Sequence, residues 1–423
     1  MDIFKNRNFV KLFFAALASQ MGSTVGNMAF AFYLLEHFSS KPYYATIAEL
    51  MYSLPTVFVF VIVGVVADRF DRKKVAENCD WIRAIMTACL FFALFTNSIP
   101  LIFFILFLRS AVTKFFYPAE SSLVQAILRK DQYAQASGLN QVLFSIFLVF
   151  GVGLGALAYR TVGIHGAVLV DLISFVLSAL LIRSCKIPKS ARLPNGRVSW
   201  KGLHISSAVS DFLEGIRYIL HNRLLSLIIF GFFIFGFVQG SFAVLPLFTM
   251  KYELAPNSYE MYSSLFAIFL GAGLLVGSTV STFFAKKIKP FPMFVTPIFL
   301  TSIFVFLLGF VDEVEFYLLI IFLIGMCIGP VNVAIGGWIP NIVHPKLMGR
   351  VSGWIDPLMM FAQSATLLCI ALLFPNIIRN IDLLYYGMAL IILFVFFFYM
   401  ILMPKYLNEK RHRLGKNTIK SVL

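Results

Sequence analysis

The most informative shortage in this 423-residue sequence is charge. Only 13% of the residues are Asp, Glu, Lys or Arg, and 60% are hydrophobic. In a soluble domain about 25% of the residues are charged and roughly 45–50% are hydrophobic. A water-soluble protein is therefore excluded. Because a helix that crosses a membrane needs about 20 apolar residues, the hydrophobic residues suffice for twelve such helices.

Motifs for several chemistries are also missing. There is no G-x-x-x-x-G-K-[ST] phosphate loop, no H-E-x-x-H pair and no stretch long enough for a soluble ATP-binding domain. The cysteines are odd in number, widely spaced and without a C-x-x-C pair, which argues against a disulfide framework or a zinc site. We therefore expect no catalytic residue, metal or cofactor. The five cysteines are Cys79, Cys89, Cys185, Cys327 and Cys369.

Long apolar runs between polar or Pro/Gly breaks indicate twelve membrane-spanning helices. Three basic residues before the first run superficially resemble a signal peptide, but the run continues to about Leu35 and has no convincing cleavage site, so we interpret it as a retained helix. The runs cover residues 9–36, 44–67, 76–97, 100–124, 134–158, 164–184, 224–250, 259–285, 293–311, 316–341, 350–375 and 383–403.

The net charge of +15 is explained by the placement of the basic residues. With the N-terminus inside, 28 of the 35 Lys and Arg residues fall in cytoplasmic segments and four in outer loops. Cytoplasmic loops retain Lys and Arg, so this split predicts a multi-pass protein of the cell membrane with both termini inside. No nucleic-acid partner is needed to explain the charge.

The sequence predicts two six-helix bundles, residues 1–185 and 224–403, followed by a basic cytoplasmic tail, 404–423. Between the bundles, linker 186–223 contains an amphipathic stretch over 211–221. We interpret that stretch as a helix on the inner membrane surface; the alternative is a regulatory or partner-binding segment. An offset of 215 residues aligns short matches between the halves, as expected for a parallel six-helix repeat.

A glycine and several charged residues lie between the second and third runs, in Gly64-Val-Val-Ala-Asp-Arg-Phe-Asp-Arg-Lys-Lys74. This segment resembles the signature G-x-x-x-D-R-x-G-R-K/R of the major facilitator superfamily. Asp71 takes the place of the usual glycine, which leaves the tightness of the turn open. The resemblance implies an all-α fold of twelve transmembrane helices in two pseudo-symmetric bundles.

Further segments resemble the macrolide-efflux branch of drug:proton antiporters in this superfamily. Phe107-Leu-Arg109-Ser-Ala is similar to the family's conserved-arginine motif in the fourth helix, and the glycine run at 151–155 resembles the antiporter motif without its proline. Other matching segments are Tyr117-Pro-Ala119, Val170-Asp-Leu-Ile-Ser-Phe175, Phe212-Leu-Glu-Gly-Ile-Arg217 and Gly349-Arg-Val351.

The charged segment after the second helix suggests a conformational latch. A glycine lets helices approach closely, and a carboxylate at the membrane edge can pair with an arginine or with the positive end of a neighbouring helix. The alternative is that the basic residues only anchor the inner side. The latch candidates are Gly64, Asp68, Arg69, Arg72, Lys73, Glu120, Arg350 and Asp356.

Three charged residues within the apolar runs are candidates for proton coupling, since a charge retained in hydrocarbon usually faces a cavity or a partner. Glu49 and Asp171 lie deepest among the candidate carboxylates, and Arg109 lies near mid-depth. The alternatives are an outer-interface position for Glu49, a helix-packing hydrogen bond for Asp171 and a structural ion pair for Arg109.

Isolated polar and aromatic residues within the runs could line a substrate cavity between the repeats. Hydrogen bonds between helices explain the polar residues equally well, and most of the 48 phenylalanines are expected to face lipid. The cavity candidates are Gln20, Asn27, Phe30, Tyr33, Phe116, Gln239, Asn332 and Gln363.

These features predict a monomeric secondary transporter that exchanges protons for small amphipathic substrates within the lipid bilayer. The resemblance implies export of macrolide-like or other hydrophobic drugs by alternating access. Two alternatives stay open: a carrier of the same fold for a siderophore, lipid or metabolite, because fold does not set substrate, and a membrane receptor that transports nothing.

Overall fold

The computed structural model describes residues 2–96, 98–129, 132–193, 216–284, 290–342 and 348–414. These residues are overwhelmingly helical, and no strand occurs among them. The α-helices are α1 Arg7–His37, α2 Tyr43–Arg69, α3 Arg72–Phe95, α4 Ile99–Ile127, α5 Tyr133–Ser184, α6 Lys189–Arg192, α7 Arg223–Thr249, α8 Tyr259–Phe284, α9 Pro290–Leu308, α10 Val314–Ile342, α11 Met348–Leu373 and α12 Ile381–Leu414.

Two short helical elements accompany the long helices. A 3₁₀-helix, Asp2–Lys5, precedes α1, and a π-helical segment, Met250–Leu254, continues α7. Nine segments of the described chain are long and apolar enough to cross a membrane. Helix α1 is not among the nine, because Gln20, Ser23, Thr24 and Asn27 lower the hydropathy of its middle. The prediction of an all-α membrane protein is confirmed.

The predicted fifth and sixth spans, 134–158 and 164–184, both lie within α5 and are separated by a break in the helix. Helix α5 is interrupted only at Gly163, where φ is +67° and ψ is −176°. Residues that carry a side chain rarely adopt a positive φ, so glycine is the residue suited to this break. The break divides α5 into a first arm, 133–162, and a second arm, 164–184, which agrees with the predicted division into two spans.

The chain separates into two compact units, unit 1 (Met1–Ser210) and unit 2 (Asp211–Leu423). In unit 1, α1 packs against α5, α3 packs against both α4 and α5, and α2 packs against α4. A buried apolar cluster that includes Ile3, Phe9, Phe116 and Ile182 joins α1, α4 and the end of α5.

Unit 2 repeats the same pattern of neighbours. Helix α7 packs against α11 and α12, α8 against α10, and α9 against α10 and α12. Helices α7 to α10 therefore correspond to α1 to α4, while α11 and α12 correspond to the two arms of α5. Of the predicted amphipathic stretch, 211–215 lie outside the described residues and 216–221 are helical.

Candidate functional site

Arg109 of α4 and Asp171 of α5 form a buried ion pair in unit 1. The Arg109 Nη1 donates to Asp171 Oδ2, and the two side chains are 7% and 1% exposed. Nη2 of Arg109 donates to Asn27 Oδ1 of α1 at 2.7 Å, and Nη1 also reaches Thr87 Oγ1 of α3 at 3.3 Å. Four helices therefore meet around one guanidinium, which we call the four-helix pair.

Two glycines of α1 make room for the second arm of α5 at this site. A Cβ on Gly26 would lie 2.9 Å from Asp171 Oδ2, and a Cβ on Gly22 would overlap the Ser174 hydroxyl. A side chain at either position would have to displace the residues that it meets. Small residues permit such close approach of helices in membranes, so α1 packs directly against Asp171 and Ser174.

Asp171 has one carboxylate oxygen that is not engaged. Its Oδ1 is buried and has no hydrogen-bond partner among the described residues, whereas Oδ2 accepts from Arg109. The Tyr52 hydroxyl of α2 is also buried, and it lies within interaction range of Arg109. An unpaired buried oxygen is costly, so the hydrogen bonding of the Asp171 carboxylate is incomplete among the described residues.

Unit 1 contains a second buried ion pair that the sequence analysis missed. Nη2 of Arg83 donates to Asp80 Oδ1 one helical turn earlier on α3, and both side chains are almost fully buried. The Ser178 hydroxyl donates to Asp80 Oδ2 at 2.6 Å. The Arg83 guanidinium carbon lies 4.3 Å from the Phe116 ring centroid and 4.5 Å from that of Phe175. We call this arrangement the one-helix pair.

Residues of the loop after α2 bind the ends of helices in unit 1. Asp71 accepts from the backbone N–H groups of Lys73 and Lys74 at 3.1 and 3.2 Å, which caps α3. It also pairs with Arg192 of α6, whose Nε donates to Oδ1 at 2.9 Å. The φ of Asp71 is −61°, so this position does not require the glycine of the superfamily signature.

Lys73 is the latch candidate with the clearest structural role. Its Nζ donates to the carbonyl oxygens of Arg183 and Cys185 at 2.7 and 2.8 Å, at the C-terminal end of α5. Lys11 donates to the Ser184 carbonyl at 3.0 Å in the same place. Helix C-termini carry unpaired carbonyls and partial negative charge, so Lys11 and Lys73 stabilise the C-terminal end of α5.

The other predicted latch residues are dispersed. Glu120 is buried in α4, Arg72 is the first residue of α3, and Asp356 is exposed on α11 of unit 2. The remaining candidates lie in helices, but their side chains are not among those that the structure describes. These are Gly64, Asp68, Arg69 and Arg350.

The cavity candidates fall in different surroundings. In unit 1, Asn27 belongs to the four-helix pair and Phe116 to the one-helix pair. In unit 2, Gln363 of α11 is buried, and its Oε1 has no partner among the described residues. The remaining placements are Gln20, partly exposed; Phe30 and Tyr33, buried; Gln239 and Asn332, exposed. Glu49, a proton-coupling candidate, is partly exposed on α2.

The buried polar groups of unit 2 are of a different kind. Tyr385 of α12 shares hydrogen bonds with Thr249 of α7 at 2.9 Å and with Tyr317 of α10 at 2.8 Å. All three side chains are buried. Nothing in their sequence spacing indicates this contact, because the three residues come from separate helices.

The chain matches the family described as Major Facilitator Superfamily over residues 12–366. It is 66% identical over 406 residues to YkuC of Bacillus subtilis (strain 168), an uncharacterized MFS-type transporter, covering 96% of this chain and 94% of the relative. Macrolide efflux protein A of Streptococcus pyogenes is 23% identical over 373 residues, covering 86% and 88% of the two chains.

Solved transporter structures share the fold at low sequence identity. A POT family transporter in complex with a thioalcohol-conjugated peptide superposes with a TM-score of 0.74 at 12% identity, covering 94% of this chain and 96% of that one. A mutant of the nucleoside transporter NupG gives 0.72 at 12% identity, covering 93% and 99%. The chain described here therefore belongs to the Major Facilitator Superfamily of membrane transporters.

Proposed function

We propose that the protein is a proton-coupled antiporter that exports amphipathic, largely apolar compounds, macrolide-like drugs among them, across the bacterial cell membrane. The observation that carries the proposal is the four-helix pair, in which a buried carboxylate keeps one oxygen without a partner among the described residues. The similarity to macrolide efflux protein A supports the substrate class.

The chemistry of the proposal is a change of charge at Asp171. When the carboxylate is ionised, its negative charge offsets the Arg109 guanidinium, which would be costly alone in hydrocarbon. A proton on the carboxylate removes that attraction, while Arg109 keeps its hydrogen bonds to Asn27 and Thr87. Proton binding therefore loosens the link between α5 and α4, and a substrate that favours the loosened state exchanges with the proton.

The latch candidates form a second part of the proposal. Lys73 binds the end of α5 and Asp71 binds α6 within unit 1, and we assign Asp68, Arg69 and Arg72 of the same segment to this network. Its role is to favour one transport state until substrate or proton binding changes the balance between states.

The proposal is tested by transport in inside-out membrane vesicles with a panel of macrolides and other hydrophobic drugs. The parent protein should accumulate at least one compound when a pH gradient is imposed, and accumulation should stop when the gradient and the membrane potential are both removed. In detergent, adding that compound to purified protein should release protons. Asp171→Asn should lose proton release, because an amide side chain neither binds nor releases a proton near neutral pH.

Asp312→Asn is the matched control, since it makes the same chemical change at an exposed position between α9 and α10. It should behave as the parent does. Glu49→Gln tests the other predicted carboxylate. Proton release that survives in Asp171→Asn but disappears in Glu49→Gln would move the coupling site to α2. Transport without any gradient would refute antiport, and transport of an endogenous metabolite but no drug would refute the substrate class.

A further inference from the structure

An apolar groove of about 710 Å³ lies in unit 2, between the helical residues 216–221, the start of α7, the start of α11 and the end of α12. Ile219, Phe233, Trp354 and Phe398 are among its lining residues. Its volume is within the range of small-molecule sites, about 300–1,000 Å³. Nothing in the proposed antiport chemistry uses this groove.

Two lining residues leave large apolar surfaces uncovered. Leu220 is 67% exposed and Phe230 is 43% exposed. In a protein that spans a membrane, such surfaces at the ends of helices are in reach of the acyl chains and the interfacial region of the bilayer. Trp354 fits the same position, since tryptophan is enriched where membrane meets water.

The charge around the groove is positive. Arg223 is the charged residue among those that line it, and Arg217, six residues earlier in the chain, is exposed. Both arginines belong to the basic residues that the charge distribution assigns to the cytoplasmic side. Basic pockets between transmembrane helices on that side suit anionic headgroups.

We propose that this groove binds an anionic phospholipid of the inner leaflet, with an acyl chain against Phe230, Phe233 and Phe398 and the phosphate beside Arg223. The apolar shape of the groove selects an acyl chain, and the positive charge of Arg223 selects an anionic headgroup. A neutral phospholipid would supply the same chain without a net charge to interact with the guanidinium. The site is independent of the four-helix pair, which lies in unit 1.

Fluorescence quenching of Trp354 by brominated lipids tests the proposal. The other three tryptophans, Trp81, Trp200 and Trp338, are replaced by Phe in the full-length protein, which is reconstituted with brominated phosphatidylglycerol or brominated phosphatidylcholine. Acyl-chain bromines quench tryptophan on contact. Half-maximal quenching should need about fivefold less of the anionic lipid, the preference expected of one basic residue near a membrane surface. High salt should reduce that preference.

Arg223→Gln should abolish the preference while leaving quenching by the neutral lipid intact, which shows that the groove is still formed. Arg223→Lys should retain it. Arg379→Gln is the matched control, because Arg379 is exposed near the start of α12, where the charge distribution predicts an outer loop. Equal quenching by both lipids, or a preference that survives Arg223→Gln, would overturn the proposal. So would displacement of the lipid by an exported drug, which would make the groove a substrate site.

Discussion

The two buried ion pairs of unit 1 differ in how each is held. In the one-helix pair, Asp80 and Arg83 lie one turn apart on α3, and both carboxylate oxygens are bonded. In the four-helix pair, Arg109 and Asp171 come from different helices, and one carboxylate oxygen has no partner in the described part of the chain. A pair within one helix stays together when helices move, whereas a pair between helices responds to that movement.

Unit 2 extends this contrast. Five charged side chains are buried in the described part of unit 1, compared with Glu260 alone in that of unit 2. The buried Tyr317, Tyr385 and Thr249 hydroxyls of unit 2 satisfy one another without charge. The two units repeat one pattern of helix packing, but the buried groups able to change charge are concentrated in unit 1. The proton exchange that we propose is therefore placed in unit 1.

The largest effect should come from replacing each ion pair with apolar residues. Arg109→Met with Asp171→Leu should abolish proton-coupled transport, because the carboxylate that exchanges the proton is gone. Arg83→Met with Asp80→Leu should leave transport close to that of the parent, since apolar replacement of a whole buried pair is often neutral for stability. Vesicle transport with immunoblot-matched protein levels measures both.

The contrary result is equally clear. If the one-helix replacement also stops transport while the purified protein keeps the parent's elution profile and Tm, then both pairs take part in coupling. The hydrogen bonds of the two pairs would then not distinguish the pair that couples transport to protons from the pair that does not.

A smaller effect, on stability, should follow from breaking the one-helix pair at a single position. Arg83→Met leaves the Asp80 carboxylate buried with only the Ser178 hydroxyl, and removal of one partner of a buried pair costs about 3–5 kcal/mol. Adding Asp80→Asn should recover most of that loss. Thermal unfolding in detergent measures the three variants. No difference between the single and double variants would show that the two side chains do not interact.

The third prediction concerns the close packing between α1 and Asp171. A larger residue at Gly26 should lower the free energy of unfolding by about 1–3 kcal/mol, which is the usual cost of overpacking. Gly26→Ala places a methyl group 2.9 Å from Asp171 Oδ2, so both Tm and proton release should fall. Gly387→Ala is the control, because nothing lies within 4 Å of its added Cβ. In that helical position alanine should raise stability by up to roughly 1 kcal/mol. Equal responses would show that α1 does not restrain Asp171.

The membrane-spanning segments could be predicted because hydropathy and charge vary with depth along the membrane normal. Arg109 and Asp171 stand out individually as charges within apolar runs. Their pairing could not be predicted, since depth in the membrane says nothing about which way a side chain points around its helix axis. The contacts with Asn27 and Thr87 depend on the same missing information.

The one-helix pair escaped sequence analysis for another reason. Asp80 lies near the start of its apolar run, 76–97, where charge is common, and Arg83 follows closely behind it. Their i,i+3 spacing was nevertheless a usable signal, because residues three apart on a helix are neighbours. The break at Gly163, by contrast, lies between the predicted runs 134–158 and 164–184, because the polar residues around it interrupt the apolar pattern.

The smallest effects are expected at Asp71, where the chain departs from the superfamily signature. Asp71→Asn keeps the helix cap but loses the ion pair with Arg192, which is worth about 0–1 kcal/mol for an accessible pair. Asp71→Ala loses the cap as well and should cost about 1 kcal/mol more. Asp71→Gly, which restores the family residue, should resemble Asn, because glycine caps almost as well and the φ of −61° offers it no conformational advantage. A Tm above the parent's for Asp71→Gly would show instead that the turn is strained by the aspartate, and that the ion pair with Arg192 does not compensate.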